Sequence, residues 1–98
     1  MSGQPLKHSV VIRNPQGFHL RPMAAFAALA GRFQSDVTLS REGRAVNGKS
    51  MMDLMLLAAT EGTELTVEVA GPDGADALRQ LSALLDVLTR AEASAPVD

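Results

Sequence analysis

Ninety-eight residues, 46% of them hydrophobic, with a formal charge of −2 and no cysteine, tryptophan or tyrosine, describe one domain with a modest core. Without cysteine there is no disulfide framework, no thiolate metal site and no thiol nucleophile. The longest apolar run, Met23 to Ala30, falls far short of the roughly 18 residues that suggest a membrane span, and the polar start Met1-Ser2-Gly3-Gln4-Pro5 lacks the apolar region of a signal peptide, so a cytoplasmic protein without membrane insertion is expected.

The first predicted element is a strand over Lys7 to Arg13, short and β-branched, followed by the turn residues Asn14-Pro15-Gln16-Gly17. From Leu20 to Arg32, Leu20, Met23, Ala24, Ala27 and Ala30 recur at helical spacing, alanine fills the gaps, and Gly31 sits near the stop. Asp36 to Arg41 alternates Val37 and Leu39 with Thr38 and Ser40, Glu42-Gly43 turns the chain, and Ala45-Val46 supports a short returning strand, which makes a hairpin.

Ser50, with Asp53 three residues later and an apolar run behind it, has the form of an N-cap with a helix of about two turns that would end by Thr60-Glu61-Gly62. Glu64 to Val69 puts Leu65, Val67 and Val69 on one face and Glu64, Thr66 and Glu68 on the other. After Gly71-Pro72-Asp73-Gly74, Leu78, Leu81, Leu85 and Leu88 mark an amphipathic helix running to about Ala91. The order is β-α-β-β-α-β-α. One-face alternation in the strands predicts an α+β open-faced β-sandwich: a four-stranded antiparallel sheet with three helices on one face. A single domain spans 1–98, with its core at about 7–91 and flexible ends at 1–5 and 92–98.

Charge is unevenly spread, since seven of the nine Lys/Arg lie in residues 1–50 against only Asp36 and Glu42, which leaves the halves at +5 and −7. A basic end suits an anion. With three phenylalanines to stack bases and no two cations adjacent, however, the chain has no nucleic-acid footprint. Gly43-Arg44-Ala45-Val46-Asn47-Gly48-Lys49-Ser50 matches the phosphate-binding pattern G-x-x-x-x-G-K-[ST] letter for letter. Context argues against it, because Ser40-Arg41-Glu42 is no buried parallel strand, Ala45-Val46 reads as strand inside the supposed loop, and only 48 residues follow Ser50. Ser50 also lacks the second glycine of a nucleophile elbow. His8 and His19, a strand and a helix start apart, make no zinc set, so no metal or cofactor is expected.

Gly17-Phe18-His19-Leu20-Arg21-Pro22 places a histidine at a helix start, where unpaired N–H groups and the positive end of the dipole favour an anion. A ring nitrogen there can act as a nucleophile, and Arg21 can offer planar, charge-assisted donors to a phosphoryl group. Pro22 in the first turn breaks no helical hydrogen bond, although it disfavours the α region at Arg21. On these residues alone, a histidine in this place is more often a cap or a satisfied surface side chain.

That hexapeptide resembles the G-[LFM]-H-A-R-P signature of HPr, the histidine-containing phosphocarrier family of the bacterial phosphoenolpyruvate-dependent sugar phosphotransferase system. Val46-Asn47-Gly48-Lys49-Ser50-Met51-Met52-Asp53-Leu54-Met55 is similar to the family's regulatory-serine region, at the family's spacing, and the resemblance runs from about residue 7 to residue 91. It implies a phosphoryl carrier, not an enzyme. His19 would accept the group on Nδ1 from phosphorylated enzyme I and hand it to a IIA-type component, with Arg21 as the active-site arginine. Ser50 would be the serine phosphorylated by an HPr kinase/phosphorylase, adding about −2 charge to the docking face; the alternative is a plain N-cap.

Phe18, Leu20, Met51, Met52 and Met55 are expected to form an adaptable apolar contact surface, about half of it turned into the core. Leu20 stands where the family has alanine, Met23 where a small residue is common, and Asp53 where glycine or alanine is usual. A monomer is expected. A regulatory or nitrogen-branch relative acting on protein targets, and a plain interaction module without covalent chemistry, are the alternative functions.

Overall fold

The computed structural model describes residues 5–91, so the ends expected to be flexible lie outside the described residues except for Pro5. The elements follow the expected order: β1 Leu6–Val11, α1 Leu20–Ala30, β2 Asp36–Arg41, β3 Arg44–Asn47, α2 Met51–Met55, β4 Glu64–Ala70 and α3 Gly74–Leu88. The strands form one antiparallel sheet in the order β1-β4-β2-β3.

Register aligns the side chains in rows. His8, Val67, Leu39 and Val46 lie across one face, with Leu6, Val69 and Val37 in the next row. The helices cover this face, and Phe26 and Ala30 of α1, Leu54 of α2 and Ala77, Leu81 and Leu85 of α3 join Val37, Leu39, Leu65, Val67 and Val69 in a single buried cluster. The opposite face carries Lys7, Glu68, Thr38 and Asn47 in one row and Ser9, Thr66 and Ser40 in the next. There the Ser9 and Thr66 hydroxyls meet at 2.8 Å, and Lys7 Nζ approaches Glu68 at 4.0 Å.

Several element ends differ from expectation, each for a local reason. β1 stops at Val11: the Ile12 N–H still reaches the Thr63 carbonyl, but the Thr63 N–H turns back to the Thr60 carbonyl and the Arg13 N–H goes to the Thr89 carbonyl at 2.7 Å. α1 ends at Ala30 with Gly31 as its cap, two residues short of Arg32. α2 has five residues, about one and a half turns, and the chain leaves it through Leu56 and Ala58 well before Thr60. α3 stops at Leu88, where the Thr89 hydroxyl donates to the Leu85 carbonyl at 2.7 Å and the Thr89 carbonyl turns to Arg13 and Asn14.

The hairpin between β2 and β3 is a two-residue turn with positive φ at both Glu42 and Gly43, the signs a type I′ turn requires. This geometry disposes of the phosphate-loop pattern. Gly43 lies in the hairpin turn, residues 44–47 are β3, the Gly48 N–H pairs with the Val37 carbonyl at 2.8 Å, and Lys49 Nζ is spent on the Phe33 carbonyl at 2.7 Å. Among the described residues no helix is long and apolar enough to cross a membrane.

Candidate functional site

The chain enters α1 through a turn with little freedom. Asn14 Oδ1 accepts from the Gln16 N–H at 3.0 Å, its carbonyl accepts from the Gly17 N–H at 2.8 Å, and the Phe18 N–H then donates to the Ala59 carbonyl at 3.0 Å. Gly17 sits at φ +72° with its α-carbon pressed against the Ala59–Thr60 backbone, where an added Cβ would lie 2.7 Å from the Ala59 carbonyl oxygen. Neither the backbone angle nor the space admits a side chain there. Phe18 follows with its ring in the core, 2% exposed and edge-on to Phe26 at 6.4 Å.

This corrects the expectation that Phe18 lies on a contact surface. Its ring is consumed in fixing the entry to α1, and it is Leu20, two residues on, that faces outward. His19 is the N-cap of α1 in extended conformation, half-buried, and its side chain makes no capping bond to the helix. Its Nδ1 lies 3.1 Å from the Gly17 carbonyl. A carbonyl only accepts, so in this contact Nδ1 is the donor.

The first turn of α1 leaves the N–H groups of Leu20 and Arg21 without intrahelical acceptors, Pro22 has none, and the Met23 N–H closes the first bond to the His19 carbonyl at 3.0 Å. No acidic side chain occupies that turn. Arg21 is exposed and ion-paired with no described residue, beside a shallow depression bounded by the Asn14–Gln16 turn, His19 and the Val87–Leu88 end of α3. The arrangement offers an anion two backbone donors, a guanidinium and a ring nitrogen, open to solvent. The wall from Val87 and Leu88 was invisible in the sequence, since α3 reaches this end only through its packing on the sheet and α1.

Ser50 caps α2, its hydroxyl accepting from the Asp53 N–H at 3.2 Å, while the Asp53 carboxylate reaches back to the Asn47 N–H at 3.4 Å. The hydroxyl is half-buried and engaged. Leu20, Met52 and Met55 are exposed by 59%, 78% and 53%, whereas Met51 packs partly against the core. Leu56, 61% exposed, joins this surface and was not anticipated, because nothing within the run Leu54 to Leu57 shows which leucines turn outward. α1 and α2 pack on each other, so these side chains crown adjoining elements. Among the described residues no three histidines or carboxylates gather to hold a metal.

A family model described as the PTS HPr component phosphorylation site matches residues 6–86. The phosphocarrier protein HPr of Xylella fastidiosa is 42% identical over 81 residues, covering 83% of this chain and 91% of the relative. A solved histidine-containing phosphocarrier protein of Mycoplasma superposes with a TM-score of 0.81 at 30% identity, over 86% of this chain and 97% of that one. The crystal structure of Crh, the Bacillus subtilis catabolite repression protein described as a swapped dimer, is 44% identical with a TM-score of 0.68, over 80% of this chain and 90% of that one.

Proposed function

The chain belongs to the HPr family of phosphotransferase-system phosphocarriers, carriers of a phosphoryl group and not enzymes, and from that premise we propose that it receives the group on His19 from phosphorylated enzyme I and passes it to a IIA-type protein. The observation that supports this most is the helix cap itself: a histidine at the N-terminus of α1 whose ring makes no bond to the helix, beside an exposed Arg21. In the transfer, the N–P bond of the donor phosphohistidine breaks as an N–P bond to His19 forms. The Leu20 and Arg21 amides and the Arg21 guanidinium share the charge of the moving group.

Acceptance at Nδ1 places a demand on the ring. It must turn from the Gly17 carbonyl and hold its proton at Nε2, so that the Nδ1 lone pair faces the incoming phosphorus. The open setting suits a relay, since a closed pocket that bound the phosphoimidazole tightly would retain it. Leu20, Met52, Met55 and Leu56 form the face on which partners dock, and the chain works as a monomer.

Phosphorylation of Ser50 by an HPr kinase/phosphorylase would keep an acceptor for the Asp53 N–H at the helix N-terminus and leave α2 folded, while setting a dianion on the docking helix beside the Asp53 carboxylate, which disfavours partners. The second reading, a regulatory relative acting on protein targets, draws support from the similarity to Crh. Incubation with enzyme I and radiolabelled phosphoenolpyruvate tests the first: the native chain takes up acid-labile phosphate and His19→Ala takes up none. A variant that labels at the native rate removes the assignment. Mass mapping after exposure to an HPr kinase and ATP tests Ser50 in the same way.

A further inference from the structure

α2 is too short to be stable by itself, and it nevertheless presents Met52, Met55 and the capping Leu56 to solvent in a fixed relation to α1. Burial of Leu54 and Leu57 holds one side of the segment. Its C-terminal end has a separate anchor. Arg41 and Arg44 stand directly opposite each other at the mouth of the β2–β3 hairpin, a pairing of like charges that sheets disfavour.

Both turn to the same place. Arg41 Nε donates to the Leu57 carbonyl, Arg44 Nη1 donates to the Leu56 carbonyl at 3.2 Å, and Arg41 Nη1 is steadied by Glu42 Oε1 at 2.9 Å. The Leu56 carbonyl at the cap of α2 and the Leu57 carbonyl just beyond it accept from no backbone N–H among the described residues, so two guanidinium groups fit there. The next residue, Ala58, is held at φ +48°, in the left-handed region that an alanine resists. Strained backbone of this kind persists only where its surroundings over-determine it. The two bonds fall on the residues immediately before the strained one.

We infer that Arg41 and Arg44 are positioning residues for partner docking: together they clamp the C-terminal end of α2, holding Met52, Met55 and Leu56 in the orientation that enzyme I meets. Neither arginine lines the depression beside His19, so the clamp acts on encounter and leaves the transfer step alone. This rests on the phosphocarrier reading given above.

The test is the double variant Arg41→Met, Arg44→Met, which keeps apolar stems and removes the donors, assayed as a substrate of phosphorylated enzyme I. Its KM is expected to rise about three- to tenfold, since docking feels only part of what two modest hydrogen bonds contribute to the fold, with kcat at saturation unchanged. An unchanged KM, or a fall in kcat without a rise in KM, overturns the clamp. Should the double variant lose its cooperative melt, Arg44→Met alone, removing one bond from an exposed side chain, is expected to show the same split at smaller size. If the native chain accepts no phosphate, the phosphocarrier reading fails by itself. The clamp is then judged by hydrogen exchange at the Leu56 to Ala59 amides, expected to quicken in the double variant and overturned by unchanged rates.

Discussion

Ala58 and Gly17 hold the same kind of backbone and differ in what surrounds them. At Gly17 the chain is left-handed and the space beyond the α-carbon is filled by the Ala59–Thr60 backbone, so no substitution is tolerated without moving the turn that presents His19. At Ala58 the conformation is left-handed, yet the side chain is exposed. Replacing Ala58 with glycine relieves about 1–2 kcal/mol of steric cost, set against about 0.5–1 kcal/mol of added unfolded-state entropy. Ala58→Gly is therefore expected to stabilise the protein by up to about 1 kcal/mol, read as a higher midpoint in urea with an unchanged slope. Sequence reading found the glycine, which announces itself as turn chemistry, and missed the alanine, whose strain exists only because the chain must return to β4.

Helix ends show how the elements are joined. Asp73 begins α3 without a side-chain bond to its own helix. Its carboxylate instead accepts from the Gln34 and Ser35 N–H groups at 2.9 Å each and from the Ser35 hydroxyl at 2.5 Å, tying the β4–α3 connection to the loop before β2. These bonds, the Ser35 hydroxyl foremost, hold its carboxyl below the ordinary aspartate value of 3.8. A depressed folded-state pKa means stability that is present above 3.8 and is lost as pH falls from there through the folded-state value. Asp73→Asn is expected to lower stability at pH 7, and the gap between variant and native protein to narrow as the pH drops below 3.8, measured by urea unfolding across that range. Ser50 behaves as its sequence position promised, because an N-cap bond is made three residues away. Asp73, in a plain turn sequence, finds partners 38 and 39 residues distant, which no local pattern reveals.

Across the whole molecule, a single cluster couples the site to the fold. Phe26 is fully buried at its centre, edge-on to Phe18, and packs so close to Gly48 that a Cβ there would come within 3.0 Å of its ring. Phe26→Ala is expected to cost about 3–5 kcal/mol, a large part of the roughly 5–15 kcal/mol available to a small domain, and to appear as a large fall in the denaturation midpoint. Below the new transition, phosphate uptake by the proposed acceptor His19 is expected to persist at a reduced rate, since Phe18, which fixes the entry to α1, loses the ring it packs against. The uneven halves of the chain vanish at this scale. Acidic β4 lies between β1 and β2, so Lys7 meets Glu68 across the sheet and only Arg21 of the basic excess stands at the site.

What the sequence determined by itself was what near neighbours decide: seven elements in order, a histidine and an arginine at the start of one helix, a serine capping another, and a hairpin that turns at Glu42-Gly43. Periodicity, capping and turn chemistry act over a few residues, and they are written directly in the chain. Only the tertiary structure decided that Phe18 turns inward while Leu56 turns outward, that α3 closes the wall beside His19, and that Arg41 and Arg44 reach across to the end of α2. Those outcomes depend on which face each element shows to the sheet and on partners far away in sequence, which are set when the core packs.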